Sequence, residues 1–243
     1  MANYIKKVFK KILPREIIEI KRLIFKKYNL PSYSQEGEDI ILQRIFEYKN
    51  EGFYIDVGAH HPFRFSNTYL FYLKGWRGIN IDATPESMKL FNKFRKRDIN
   101  LEIGVGEKET ILTYYIFNEP ALNTFDGNLA KQRNGKGRYY IVKELPIKVY
   151  PLSKIIKEYI PKEQEIDFLT IDVEGKDFET LKSNDWSKYK PKVVLIEVLN
   201  SSLEKMYESP IYIFMREKGY SFFAKTFNTC FFITNEFLKD INK

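Results

Sequence analysis

The sequence predicts an α/β protein built on a mostly parallel sheet with helices over both faces. Three observations predict it. Short apolar strands alternate with amphipathic helices through most of the chain. Three of those strands end near an acidic residue, at Asp56, Asp82 and Asp172. The alternation closes on a β-hairpin, 221–227 and 230–234, around Asn228-Thr229. Alternation of this kind brings parallel strands side by side, and strands covered on both faces read as apolar runs.

The elements follow in order. Ser34 reads as the N-cap of a helix over about 36–48 that carries Ile40, Ile41, Ile45 and Phe46. Phe53-Tyr54-Ile55-Asp56-Val57 is the first strand, and Gly58-Ala59-His60-His61-Pro62 the loop after it. Ser66 caps a helix with Tyr69, Leu70 and Leu73 that stops at Gly75. Gly78-Ile79-Asn80-Ile81-Asp82 is the second strand. Thr84-Pro85 opens a helix through about Arg95, with Pro85 at the first helical position, where its missing N–H costs nothing. Ile99 to Ile103 is a third strand, closed by Gly104.

The stretch 107–150 departs from this rhythm. Thr110–Phe117 and Tyr139–Val149 are rich in Tyr, Ile and Val and read as β segments. Between them, 118–138 is polar and holds Pro120, Gly127, Gly135 and Gly137; a loop this long in a compact domain is functional or mobile. Alternation resumes with a helix at Ser153–Tyr159, a strand at Ile166–Val173, a helix to about Ser183, a strand at Val193–Val198 and a helix at Ile211–Lys218 with Gly219 past its end.

Composition bounds the function. The 243 residues are 44% hydrophobic and 16% aromatic, enough for one large core, which excludes a disordered, collagen-like or disulfide-stapled chain. The lone Cys230 makes no internal disulfide and points to a reducing, cytoplasmic setting. The net charge of +8 invites a nucleic-acid partner. Its distribution does not: residues 1–33 hold nine Lys and Arg against two Glu, a local +7, which leaves +1 for 34–243. No nucleic-acid partner is therefore expected. Residues 1–33 read as a basic helical appendage, with Ile5, Val8, Phe9 and Ile12 on one face and Ile17, Ile20, Ile24 and Tyr28 after Pro14. Lysines interrupt every apolar run, so neither a membrane span nor a secretory signal is read. The appendage packs on the domain, forms a homodimer, or lies peripherally on the inner face of an anionic membrane.

Ligands of open α/β sheets bind beyond the carboxyl ends of the strands. Asp56, Asp82 and Asp172 lie there, and Gly58 lets the backbone approach a ligand. An acid ending the second strand suits the two hydroxyls of a ribose. A pyrophosphate turn needs three glycines and this one has a single glycine, so the pattern favours a nucleoside cofactor without phosphate, S-adenosylmethionine, over a dinucleotide.

Six blocks follow one another along the chain: Tyr33-Ser34-Gln35-Glu36-Gly37-Glu38-Asp39, Tyr54 to Pro62, Ser66-Asn67-Thr68, Gly75 to Asp82, Ile166 to Gly175 and Pro191 to Glu197. They are similar to the motifs of the FkbM family of S-adenosylmethionine-dependent methyltransferases. The resemblance spans about 33–235. It implies a class I methyltransferase (Rossmann-like) fold for 34–243, with seven strands and the last inserted antiparallel. It also implies O-methylation, commonly of a sugar hydroxyl, and so a nucleotide-linked sugar or surface glycan precursor as acceptor. An RNA methyltransferase and a non-catalytic membrane-associated protein with this fold are the rival readings.

For the cofactor, the candidates are Asp56, Gly58 and Asp82, with Ile103 and Gly104 beside adenine; the resemblance adds Ser34 and Gln35 near the methionyl end. His61, Asp172 and Glu174 compete for the role of general base. The acceptor-side candidates are His60, Asn67, Asn123 and Thr124, with Arg133 and Arg138 gripping a diphosphate from the 118–138 loop. His60, His61, Asp172 and Glu174 together resemble a metal site, but nothing in their spacing demands one, and no metal is expected.

Overall fold

The structure, a computed structural model, describes residues 30–199 and 202–241. Helix and strand alternate through α1 (Glu38–Ile45), β1 (Phe53–Val57), α2 (Tyr69–Leu73), β2 (Arg77–Asp82), α3 (Met88–Phe94) and β3 (Ile99–Glu102). An insertion follows: β4 (Gly104–Val105), β5 (Thr110–Phe117), a 3-10 turn at Pro120–Leu122, α4 (Gly127–Arg133) and β6 (Ile141–Tyr150). The chain then runs through α5 (Leu152–Tyr159), β7 (Phe168–Ile171), α6 (Asp177–Lys182), β8 (Val193–Glu197), α7 (Leu203–Met206) and α8 (Pro210–Glu217). The hairpin of β9 (Tyr220–Lys225) and β10 (Thr229–Thr234) and the helix α9 (Asn235–Ile241) complete it.

The main sheet has seven strands in the order β3-β2-β1-β7-β8-β10-β9. Neighbours are parallel from β3 to β8; β10 enters antiparallel between β8 and β9. The expected α/β class and reversed last strand are both present. Successive side chains on a strand point to opposite faces, and this divides the core in two. Phe53, Ile55 and Val57 of β1 join Leu169, Ile171, Val194 and Ile196 on one face, under α5, α6, α7 and α8. Tyr54 joins Phe168, Val193, Leu195, Phe231 and Ile233 on the other, under α1 and α2. Burial on both faces explains why the central strands read as unbroken apolar runs.

Several boundaries shift for local reasons. Ser34 is not the N-cap of α1: Gly37 is, in the left-handed region at φ 87°. The Ser34 hydroxyl instead donates to Asp39 Oδ1. Pro85 does not open α3. The Thr84 N–H is tied to Asp82 Oδ1 and Glu86 takes a positive φ, so a turn precedes the helix. Gly104 does not close β3; it begins β4, which pairs in parallel with β6. β4, β6 and β5 form a second, three-stranded sheet, and the 118–138 segment holds a 3-10 turn and α4 rather than a structureless loop. The expected appendage falls outside the described residues except for 30–33.

Candidate active site

The carboxyl ends of β1, β2 and β7 lie side by side, and a cleft opens beyond them. Gly58 makes this closeness geometrically possible. It has φ +86°, and a Cβ there would fall 1.7 Å from the carbonyl oxygen of Asp172. No side chain fits, so the loop after β1 rests directly on the end of β7.

Asp82 sits at the floor with both oxygens engaged. Oδ2 accepts the His60 N–H at 2.8 Å and Oδ1 accepts the Thr84 N–H at 2.7 Å. A carboxylate oxygen has two lone pairs, so each remains able to accept a ligand hydroxyl. The adjoining wall is apolar, with Ile81, Ile103, Val105 and Phe125. The inserted segment supplies part of it, through Tyr114, Pro120, Asn123 and Phe125.

The opposite side is acidic. Asp172 opens to the cleft, yet surrounding protein atoms, then Glu197 and Glu174, hold its carboxyl well above the ordinary range. Burial raises Glu174 as well, opposed by Arg133, whose Nη2 donates to Glu174 Oε2 at 2.6 Å. Glu174 stands at φ 56°, and the Thr124 hydroxyl donates to its carbonyl oxygen at 2.6 Å. Burial, then Glu174 and Asp177, push Glu197 up to about 9, and its Oε2 is buried with no hydrogen-bond partner among the described residues. Asp177 accepts the N–H groups of Val173 and Gly175, and burial lifts it to about 6. Donor atoms of Asp172, Asp177 and Glu197 all lie within 4.8 Å of one another. Carboxylates this close do not all ionise; protons or a cation must offset them. The sequence reading missed this trio because Asp177 reads as a helix start and Glu197 as a strand end.

The cleft gathers Gln35, Gly58, His60, Asp82, Ile103, Asn123, Asp172 and Glu174 of the expected residues. The others stand outside its lining, for identifiable reasons. Asp56 is buried and accepts the Thr68 hydroxyl at 2.9 Å, and burial raises it to about 6. Asn67 donates to Thr170 Oγ1 at 3.0 Å. His61 turns its Nδ1 back onto the N–H groups of Phe63 and Arg64, organising its own loop. Burial lowers both His60 and His61, so both are neutral near pH 7. Ser34 is bound to Asp39, Gly104 is in β4, and Thr124 is fully buried under Glu174. Arg133 is engaged by Glu174 and the Leu122 carbonyl rather than free for a diphosphate. Arg138 is exposed and lies over the Tyr139 ring. Glu38, in the first of the six blocks, is buried and accepts the Thr226 and Thr229 hydroxyls. Thr84, Tyr114 and Phe125 were missed: nothing in a Tyr-rich strand signals that it will reach back over the main sheet.

A parallel sheet with one reversed strand next to its edge, a single-glycine turn after β1 and an acid ending β2 define a Rossmann-like methyltransferase fold. The chain belongs to the FkbM methyltransferase family: the family's methyltransferase FkbM domain matches residues 56–222. No curated protein matches the chain. The protein is thus a methyltransferase, of a family that generally uses S-adenosylmethionine. No helix of the described residues is long and apolar enough to cross a membrane.

Proposed function

We propose that the protein binds S-adenosylmethionine in this cleft and moves its methyl group to a hydroxyl of a sugar, in a nucleotide-linked sugar or surface polysaccharide precursor. The residues present fit the cofactor. The Gly58 turn leaves room for close backbone approach, Asp82 offers fixed acceptors to two ribose hydroxyls, and Ile103, Val105 and Phe125 give adenine an apolar wall. When bound, the cofactor supplies a methyl carbon made electrophilic by its sulfonium.

The observation that carries the hydroxyl acceptor is the pair Asp172 and Glu174, which share the cleft with Asp82 and whose carboxyls burial holds above the ordinary range. A base is most effective when its pKa lies near the working pH. With the cofactor bound, the methyl would pass from sulfur to the acceptor oxygen, leaving the thioether, and Asp172 or Glu174 would take the hydroxyl proton. Orientation by the cleft walls contributes in proportion to how well the oxygen is held behind the methyl carbon. Of the two carboxylates Glu174 is the better oriented, because Arg133 and Thr124 fix its side chain and backbone. His61 is the weaker candidate for base, since it lies outside the lining.

The test is incubation with S-adenosylmethionine and a panel of nucleotide sugars, with product mass measured beside calorimetry of S-adenosylhomocysteine. A product heavier by one methylene and a saturable heat are expected. No product across the panel removes the sugar reading; no heat removes the cofactor reading.

A further inference from the structure

The Asp82 carboxylate is oriented by the loop that follows it, and that loop is tied to the insertion. Thr84 donates its N–H to Asp82 Oδ1 at 2.7 Å. Its hydroxyl lies 3.0 Å from the Tyr114 hydroxyl of β5 and accepts from Asn123 Nδ2 at 3.2 Å. Asn123 is itself fixed, because its Oδ1 accepts the Phe117 N–H at 2.8 Å. Tyr114 and Asn123 are each 6% exposed, and the Tyr114 ring packs on Phe125 with centroids 4.5 Å apart. A turn after β2 has no regular structure to hold it, and Glu86 within it takes a positive φ. Two buried side chains of the insertion hold it instead, Tyr114 on β5 and Asn123 just after the 3-10 turn.

We propose that Tyr114 and Asn123 are positioning residues for the cofactor: through the Thr84 hydroxyl they set the Asp82 carboxylate for the ribose, so that the inserted sheet governs cofactor affinity. This rests on the cofactor reading above. It also reassigns Asn123, expected on the acceptor side, to the cofactor side. Burial holds the Tyr114 hydroxyl far above the usual phenol range, so it stays a neutral hydrogen-bonding group at every working pH. A group held by two oriented partners binds a diol better than one that must be ordered on binding, since the ordering is done in the fold.

The experiment is calorimetry of the full chain with two probes, S-adenosylhomocysteine and its 2′-deoxy analogue. The variants are Tyr114→Phe, Thr84→Val and the two combined, with Ile111→Ala on the exposed face of β5 as control. Thermal melts confirm that each is folded. The wild type is expected to prefer the ribose form. Tyr114→Phe and Thr84→Val are each expected to bind S-adenosylhomocysteine about 3–10-fold more weakly, the effect of one lost hydrogen bond. The deoxy analogue is expected to lose much less. The double variant is expected to be less than additive, because both changes break one chain. A wild type that binds neither probe overturns the cofactor reading and the inference with it. A wild type that binds while both variants match it overturns the inference alone. Equal weakening toward both probes does so too, because it shows a general structural effect with no coupling to the ribose.

Discussion

The carbonyl oxygen of Asp172 stands 1.7 Å from where a Cβ on residue 58 would lie. Both atoms belong to backbone, so no rotamer change relieves the overlap. The end of β7 and the loop after β1 must part by more than an ångström to admit a methyl group. Gly58→Ala should therefore destabilise the protein by more than the roughly 1–2 kcal/mol that a left-handed φ alone costs an L-residue. It should also abolish S-adenosylhomocysteine binding at temperatures where the variant remains folded. Urea unfolding and calorimetry on the same sample check both; a variant with wild-type midpoint and affinity would refute the contact.

Arg133 and Glu174 give a prediction about pH. The guanidinium lowers the Glu174 carboxyl against the burial that raises it. Arg133→Met removes the opposing charge, so the carboxyl should rise further and stay protonated to higher pH. If Glu174 takes the acceptor proton, the acidic limb of the rate profile moves to higher pH in this variant. Arg133→Lys should restore much of the original position. A limb that does not move in Arg133→Met excludes Glu174 as the base.

The parts of this protein legible in its sequence are those fixed by local pattern. β1, β7 and β8 are apolar runs bounded by turns, and they sit within two residues of where they were expected. Asp82 and Gly58 were legible because a strand end is a local event. The insertion was not. Tyr114 and Phe125 reach the cleft only because β5 pairs with β6 and β6 with β4, a non-local pairing of two residues, Gly104 and Val105, that no periodicity announces. Arg133 was read as a phosphate ligand because its partner Glu174 is 41 residues away. Charges on a polar segment look free until the fold supplies their partners.

Arg95 and Asp98 form an ion pair with no exposed side-chain surface. Arg95 also donates to the Tyr54 hydroxyl, the Thr68 hydroxyl and the Pro62 carbonyl, tying α3 to the loop after β1. Removing one partner leaves the other buried and uncompensated, which costs about 3–5 kcal/mol. Arg95→Met should lower stability by that order in chemical denaturation. It should also weaken S-adenosylhomocysteine binding, because the released loop carries His60, whose N–H holds Asp82. A loss below about 1 kcal/mol would show that water enters and screens the pair.

Glu197 predicts the direction of stability against pH. Its carboxyl is pushed up to about 9 in the fold, by burial first and then by Glu174 and Asp177. A group raised in the folded state stabilises fully below its unfolded pKa, and that contribution is lost as pH rises through the folded value. The protein should therefore lose stability between about pH 7 and about pH 9.5, a range above the histidine titrations. Asp56 and Asp177, raised to about 6, have already given up their share by then. Glu197→Gln keeps the shape and cannot ionise, so it should flatten the decline. Denaturation midpoints in chelator, wild type against variant at several pH values, make the comparison. A repeat at the alkaline end with added magnesium separates the two ways of offsetting the trio: recovery by the metal in the wild type and not in Glu197→Gln would show a cation replacing the proton. A wild-type midpoint that is flat across this range would mean that Glu197 is already ionised in the fold.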